Sequence, residues 1–433
     1  MSVFRELRAL LARSGFRKLF AVRLVSQAGD GMFQVGLANL LFFSPESQGS
    51  APAIAGAFAI MLAPFTIVGP FAGVFLDRWQ RRQVLVVGNA VRVVITAAMA
   101  VLMVADGVSL WIYVLGLAAL SVNRFLLAGL SAGLPLVVED KKLLLTANAL
   151  TPTLGAGAAF LGGLGAFVVG QVAPPGRVQD ATALTCAALV MGCASLLGLR
   201  LRRGELGPVV PASGRVRSEV VVVARGLVDG ARYLAGRRTP GQALLAMATH
   251  RLCYGVVFIA SILMARNLLS DPSDPASGLA VFAQVVGATG VGGGVAIVVT
   301  AWLGRRMAPQ SWIATMLLVA AASQVLLVPA EPGLVLMLSA AALLGMAAQG
   351  AKIAVDTIVQ RDSGDEFRGR AFAFFDVLYN AAFVGAAALA AAVVPDMGWS
   401  PGLFGVLAGV YLVAGVLVGL RGAREPREVA ARV

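Results

Sequence analysis

Long apolar runs, each separated from the next by a short charged connector, recur along nearly the whole chain. A helix that crosses a bilayer needs about 20 predominantly apolar residues, and each run is long enough to provide them. The runs form two groups of six, near residues 18–43, 52–76, 82–105, 108–137, 143–170 and 180–200, then 241–266, 278–304, 310–329, 333–360, 371–394 and 400–420. The pattern predicts an all-α integral membrane protein with twelve transmembrane helices in two six-helix bundles.

A long basic connector divides the two groups of apolar runs. It carries nine arginines from Arg200 to Arg238, and its later part, residues 219–235, mixes apolar and basic side chains. We expect this part to lie as a helix on the anionic inner leaflet, and we weigh that above a regulatory or partner-binding role. The predicted organisation is an N-terminal bundle over 1–200, a cytoplasmic linker over 201–240 and a C-terminal bundle over 241–433.

The distribution of positive charge predicts the orientation of the chain. If the N-terminus is cytoplasmic, five of the 35 Lys and Arg lie inside helices, Arg177 and Arg266 lie in outer connectors, and the other 28 lie in cytoplasmic segments. This asymmetry agrees with the positive-inside rule, so we expect both termini in the cytoplasm. Similar segments, 136–140 and 358–362, close the fourth and tenth predicted helices, as two pseudo-symmetric repeats would.

Composition excludes several other classes of protein. With 58% hydrophobic residues, 13% charged residues and a mean hydropathy of +0.84, the chain is unlike an ordinary soluble domain. The net charge of +13 forms no basic stripe interleaved with aromatics, so no nucleic-acid partner is expected. The three cysteines lie in apolar runs and indicate neither disulfides nor a metal site. No Walker motif occurs, which excludes ATP as a direct energy source, and no cofactor is expected.

The connector between the second and third predicted helices carries a recognisable motif. Its sequence, GVFLDRWQRR, begins at Gly73 and includes the acid-base pair Asp77 and Arg78. It resembles the signature loop of the major facilitator superfamily, a glycine followed by Asp-Arg and then by two basic residues. The chain departs from the family pattern at Leu76, usually alanine, and at Gln80, usually glycine. The resemblance covers the whole chain at the level of the superfamily.

The resemblance implies a charged gate on the cytoplasmic side. In the family, the motif aspartate, here Asp77, accepts from free backbone amides at the start of the eleventh helix. Arg81 would pair with Glu139 or Asp140 at the end of the fourth helix and hold the inside closed. The alternative is plain positive-inside anchoring, which is our interpretation of Arg82.

Polar residues also lie inside predicted spans, where each charge costs about 2.5–3.5 kcal/mol on insertion scales. On the first helix, spacings of four, three and four place one polar stripe on a single face. In the major facilitator fold, helices one, four, seven and ten line the central cavity. The resemblance therefore implies cavity positions for Arg23, Gln27, Asp30 and Gln34, for Asn123 and Arg124, for His250, Arg251 and Tyr254, and for Gln349, Lys352 and Asp356.

Two of the acidic residues in these stripes are candidates for coupling transport to an ion. Asp30 is either a protonatable site near mid-membrane or the partner of Arg23 or Arg124 in a structural ion pair. Asp356 lies four residues from Lys352, so the two either neutralise each other or contact cargo.

Two other ionisable residues are interpreted as structural. His250 is the only histidine of the chain. Because it borders Arg251, it is expected to be a neutral interior histidine and not a proton carrier. Arg92 belongs to the third helix, an outer helix in this fold, and is expected to be structural.

Two further segments narrow the expected function. Arg23–Gly31 and Asp365–Phe372 resemble the export branch that includes enterobactin-type siderophore and macrolide efflux proteins. This resemblance implies a proton-coupled exporter of a small amphiphilic molecule that works by alternating access. Its partners would be protons, a small-molecule cargo and membrane lipids. The protein would be a monomer in the bacterial plasma (inner) membrane and would not be an enzyme. The alternatives are a lipid or lysolipid flippase of the same fold, an uptake carrier, and a receptor or scaffold without transport.

Overall fold

The computed structural model describes residues 2–43, 50–67, 71, 75–76, 78–107, 109–138, 141–174, 176–207, 216–236, 238–328, 331–363 and 365–422. Gly73, Asp77, Glu139 and Asp140 of the predicted gate lie outside these residues. The helices, in chain order, are α1 Ser2–Ala12, α2 Ser14–Ala38, α3 Ala51–Ile67, α4 Arg81–Asp106, α5 Leu110–Val137, α6 Lys141–Val172, α7 Arg177–Leu199, α8 Val216–Ala235, α9 Arg238–Leu263, α10 Pro275–Trp302, α11 Pro309–Val325, α12 Leu334–Asp362, α13 Asp365–Val393 and α14 Pro401–Gly422.

A helix overlaps each of the twelve predicted apolar runs. Within the described residues, nine of these helices are long and apolar enough to cross a membrane, namely α4, α5, α6, α7, α9, α10, α12, α13 and α14. The described parts of α3 and α11 are 17 residues long, and α2 carries the charged stripe that lowers its hydropathy. Twelve spans and the orientation with both termini inside remain predictions.

The chain divides into two compact units. Unit 1 comprises Met1–Ser47 and Ala63–Val223, and unit 2 comprises Gln48–Leu62 and Ala224–Val433. Of the three divisions, one falls before α3, one inside α3 and one inside α8. The boundaries expected at residues 200 and 240 stay predictions.

The same helix pairings recur in both units. In unit 1, α2 packs on α6, and α4 packs on α7 and α5. In unit 2, α9 packs on α13, and α11 packs on α14 and α12. Counted from the first spanning segment of each unit, these are pairings of the first helix with the fifth, the third with the sixth and the third with the fourth. Two structural repeats of six helices would produce this pattern.

Glycine allows close approach at two of these helix crossings. A β-carbon added at Gly31 of α2 would lie 1.8 Å from the carbonyl oxygen of Ala159 on α6, and one at Gly162 of α6 would lie 2.0 Å from that of Ala28 on α2. In unit 2, Gly292 of α10 and Gly345 of α12 are packed in the same reciprocal way. Small residues of this kind let membrane helices come into backbone contact.

Two helices in corresponding positions of the two units, α2 and α9, each end in a π-helical turn, a rare element. In unit 1 the turn is Asn39–Phe43, directly after α2, and in unit 2 it is Met264–Leu268, directly after α9. Single π turns occur frequently at functional sites.

Unit 1 has a core of buried leucines and aromatics at the end where α1, α2, α5 and the segment after α7 meet. Leu10 and Phe16 pack there with Leu134 and Leu206. The outer faces of several helices are apolar instead, as on α14, where Val406, Val413 and Val416 are exposed. Such faces suit contact with lipid chains, because apolar side chains have a lower free energy in an apolar environment than in water.

Candidate functional site

A buried ion pair joins α2 and α4 in unit 1. Nη2 of Arg92 lies 2.6 Å from Oδ1 of Asp30, and the two residues are 0% and 3% exposed. Nη1 of Arg92 donates to Oδ1 of Asn123 on α5 at 3.1 Å, and Nε2 of Gln34 donates to Oδ2 of Asp30 at 2.6 Å. Each carboxylate oxygen of Asp30 therefore has a donor, as burial of a charge requires.

The partner of Asp30 differs from both expected partners. Arg23 and Arg124 were the predicted cations, and the structure places Arg92 there instead, so the guanidinium expected to be merely structural is the one that neutralises Asp30. Arg92 is the partner because the face of α2 that carries Asp30 and Ser26 is turned toward α4. One turn away, Oγ of Ser26 donates to Oδ1 of Asn89 on α4 at 3.0 Å.

Arg23 occupies a different environment in the same unit. It is 8% exposed, and a β-carbon added at Gly155 on α6 would lie 3.2 Å from its Nε. Within the described part of the chain this Nε has no hydrogen-bond acceptor. Gln27 and Arg124 are half-buried, and Gln34 is exposed although its amide reaches Asp30. The predicted stripe on the first helix therefore does not face one neighbour: Asp30 contacts α4, whereas Arg23 lies beside α6.

In unit 2, the guanidinium of Arg251 lies among aromatic rings. Its Cζ is 3.5 Å from the ring centroid of Phe383, 4.2 Å from that of Tyr379 and 5.2 Å from that of Tyr254. Cation–π contacts of this kind stabilise a cation without neutralising it. Among the described residues no carboxylate pairs with Arg251.

The aromatic cluster extends from Arg251 to three further phenylalanines. Phe58 of α3 packs edge-on against Phe383 of α13 at 4.9 Å between centroids, and its ring is tilted against that of Phe258 of α9 at 5.2 Å. Phe258 in turn packs on Phe282 of α10 at 5.4 Å. Rings on four helices thus form one continuous apolar surface beside a single cation.

His250 is fully buried behind this surface, as expected of an interior histidine. Its Nδ1 lies 3.3 Å from the hydroxyl oxygen of Tyr411 on α14, and the two rings meet edge to face at 5.4 Å. The Tyr411 hydroxyl also donates to the His250 carbonyl at 3.2 Å. These neighbours are those of a packed core position.

Lys352 and Asp356 on α12 bind each other. Nζ of Lys352 lies 2.7 Å from Oδ2 of Asp356, and both side chains are more than one-third exposed. This geometry fits the interpretation in which the pair neutralises itself, one helical turn apart. Gln349, a turn earlier on α12, is half-buried.

The described part of the predicted gate makes contacts that the sequence did not indicate. Arg78 forms an ion pair of 2.7 Å with Glu219 at the start of α8. Arg81 donates to the carbonyl of Leu206 at 3.1 Å, and Nε of Arg82 donates to that of Leu201 at 2.6 Å. The expected contacts of Asp77, Glu139 and Asp140 involve residues outside the described ones, so the gate remains a prediction.

Sequence reasoning missed the role of Arg92, although a signal for it was present. Asn89, Arg92 and Thr96 follow one another at spacings of three and four, and all three are 0% exposed. That spacing places them on one face of α4, as in the stripe of α2. A second polar stripe on a neighbouring helix is the natural partner of the first. Tyr379 and Phe383, by contrast, gave no signal, since single aromatics are common in apolar helices.

Comparison with known proteins places the chain in a family. No protein-family model matches the chain. Two curated relatives are uncharacterised MFS-type transporters, one of Mycobacterium tuberculosis and one of Mycobacterium bovis, each 34% identical over 431 residues that cover 98% of this chain and 94% of the relative.

Solved structures show the same fold at low identity. A mutant of the peptide transporter POT matches with a TM-score of 0.69 and 14% identity, over 94% of each chain. The nucleoside transporter NupG matches with a TM-score of 0.63 and 13% identity, over 93% of this chain and 97% of that one. With its apolar helices and its near full-length homology to MFS-type transporters, the chain belongs to the MFS, the major facilitator superfamily, and is a multi-pass membrane transporter.

Proposed function

We propose that this transporter is a proton-coupled exporter of a small amphiphilic molecule, working by alternating access in the bacterial inner membrane as a monomer. The observation that carries the proposal is the buried pair of Asp30 and Arg92, with its hydrogen bonds to Gln34 and Asn123. A carboxylate within a spanning helix is costly and is retained where it acts in ion pathways.

The pair can work as a switch because protonation changes its energy. A proton on Asp30 removes the negative charge, and the attraction to Arg92 is then replaced by a weaker hydrogen bond. Arg92 keeps Asn123 as an acceptor at 3.1 Å, so its charge does not lose every partner. The protonated and deprotonated states thus favour different packings of α2 against α4, which is the kind of bias that alternating access requires.

The surroundings of Arg251 support the proposal that the cargo carries an acidic group. Its guanidinium has aromatic but no acidic partners among the residues that the structure describes, and the rings of Phe383 and Tyr379 provide an apolar contact beside it. A molecule with a carboxylate or phosphate attached to an apolar body would use both features. We also propose that transport is outward and that a charged gate closes the cytoplasmic side. The gate comprises Gly73, Asp77, Arg78, Arg81, Glu139 and Asp140.

Proton flux in proteoliposomes tests the proposal. The purified protein is reconstituted with an imposed pH gradient, and a panel of acidic amphiphilic drugs, siderophores and lysolipids is added. We expect cargo-dependent proton flux in the wild type and its loss in Asp30→Asn, because the amide cannot exchange a proton. Asp180→Asn is the matched control, since Asp180 is also a buried aspartate of unit 1, hydrogen-bonded to Asn39. It should retain the flux.

The other outcomes separate the alternatives. Cargo movement in both Asp30→Asn and Asp180→Asn, without proton flux, would reject coupling through Asp30. Lipid movement without proton flux would favour a lipid or lysolipid flippase. Absence of any transport in the wild type, with the protein folded, would favour a receptor or scaffold.

A further inference from the structure

Unit 2 contains a partly open cavity of about 280 Å³ next to the aromatic surface beside Arg251, with which it shares Tyr254 and Phe258. It lies between α9, α10, α11, α12 and α14, near the end where α9 and α11 finish and α10, α12 and α14 begin. Its walls are almost entirely apolar and include Phe258, Val285, Leu344 and Phe404. Walls of this kind favour a molecule with apolar surface over water.

One polar atom in the wall lacks a partner. Gln324 on α11 is 0% exposed and lines the cavity; its Nε2 donates to Oγ of Ser323 at 2.7 Å, while its Oε1 accepts no hydrogen bond from the residues that the structure describes. Two of the three wall hydroxyls, those of Ser261 and Thr289, donate to carbonyls of their own helices, and the third belongs to Tyr254. A buried acceptor without a donor costs free energy, and a ligand that supplies the donor would recover it.

We propose that this cavity binds a small, neutral, mainly apolar molecule that carries one hydrogen-bond donor, with Oε1 of Gln324 as the acceptor. None of the described residues that line the cavity is charged, so a charged ligand would lose its hydration without compensation. At roughly 30 Å³ for each water-sized group, the space suits a molecule of about nine non-hydrogen atoms. The ligand therefore differs in charge from the acidic cargo proposed above.

The mouth of the cavity lies on α10. Val286 is 42% exposed there, and Gly290 is exposed one turn later. A β-carbon added at Gly290 would meet nothing within 4 Å, and the same is true of Gly294, which lies one further turn along and does not line the cavity. The two glycines thus provide a matched pair: a β-carbon at either meets no neighbour, and only Gly290 lines the cavity, so we expect a leucine there to block it.

Direct binding to the full-length, detergent-solubilised protein, measured by calorimetry without any ion gradient, tests the proposal. The probes are indole and indene, which share size and shape and differ in one N–H donor. We expect saturable binding of indole to the wild type and to Gly294→Leu, and at least a tenfold loss of affinity in Gly290→Leu. Gln324→Met, which keeps the volume and removes the acceptor, should weaken indole about fivefold and leave indene unchanged.

The same measurement can overturn the proposal. Equal indole binding by Gly290→Leu and Gly294→Leu would place the ligand elsewhere, and no saturable binding by the wild type would reject the site. Equal weakening of indole and indene by Gln324→Met would reject Gln324 as the acceptor; Gln284→Met, an exposed position on α10, is its control. Because no transport is measured, these outcomes are independent of the proton-coupled mechanism.

Discussion

At the scale of single residues, Asp30 and Arg92 show how a membrane protein retains charge in its interior. Each would be costly alone, and each has one further hydrogen-bond partner: Asp30 accepts from Gln34 on α2, and Arg92 donates to Asn123 on α5. Removing one partner of a buried pair leaves the other charge uncompensated, whereas replacing both can be nearly neutral.

A double-mutant cycle in detergent tests this arrangement. We expect Arg92→Met to lower the free energy of unfolding by about 3–5 kcal/mol, because Asp30 is left buried and unpaired. The double variant Asp30→Asn/Arg92→Met should recover most of that loss, since neither charge remains. Chemical unfolding followed by circular dichroism measures both values.

The matched control for this cycle is Arg82→Met. Arg82 donates to the carbonyls of Leu201 and Leu199 near the end of α7 but remains partly accessible. Its removal should cost about 0.5–1.5 kcal/mol, as for an ordinary hydrogen bond. If Arg92→Met costs no more than Arg82→Met, the pair is not a buried electrostatic element.

At the scale of helices, reciprocal glycines set the distance between neighbours. Gly31 and Gly162 each face a backbone carbonyl of the opposite helix, so α2 and α6 touch along their main chains. Gly157, also on α6, has open space where a β-carbon would be. Two glycines of one helix therefore have opposite tolerance for a methyl group.

We expect Gly162→Ala to destabilise the protein by at least 1–3 kcal/mol, about the usual cost of overpacking, because its β-carbon would clash with the carbonyl of Ala28. Gly157→Ala should leave stability unchanged or raise it slightly, since alanine favours helix more than glycine does. Thermal unfolding of the two variants in the same detergent compares them. Equal midpoints would contradict the close packing of α2 on α6.

The sequence predicted the helices better than it predicted their pairing. Apolar length alone indicated segments such as 400–420, where α14 runs from Pro401 to Gly422. It could not indicate that the Asp30 face of α2 meets α4, because that depends on how helices pack and not on either helix alone. The π turn Asn39–Phe43 also left no mark in the apolar pattern.

At the scale of the whole molecule, the positive-inside distribution predicts which connectors face the cytoplasm. The connector after α9 contains Pro272 and carries few positive charges, whereas the one after α7 contains Arg202 and Arg203. Both positions are exposed in the structure. Orientation can therefore be measured at two sites that tolerate substitution.

In a variant whose three native cysteines are replaced by alanine, we expect Pro272→Cys to react in intact cells with a membrane-impermeant maleimide. Arg203→Cys should react only after the membrane is permeabilised, because its connector is predicted to be cytoplasmic. Gel-shift labelling measures both. Labelling of Arg203→Cys in intact cells would reverse the predicted orientation.

The solitary histidine of this chain gives the protein a natural spectroscopic reporter. His250 is next to Arg251 in sequence and contacts Tyr411 in the core of unit 2, and no other imidazole occurs in the 433 residues. Protein labelled with nitrogen-15 only at histidine, and purified with a tag free of histidine, would give one set of ring signals that needs no assignment. Any molecule that docks against Arg251 could thus be detected in an unmodified transporter, even before its identity is known.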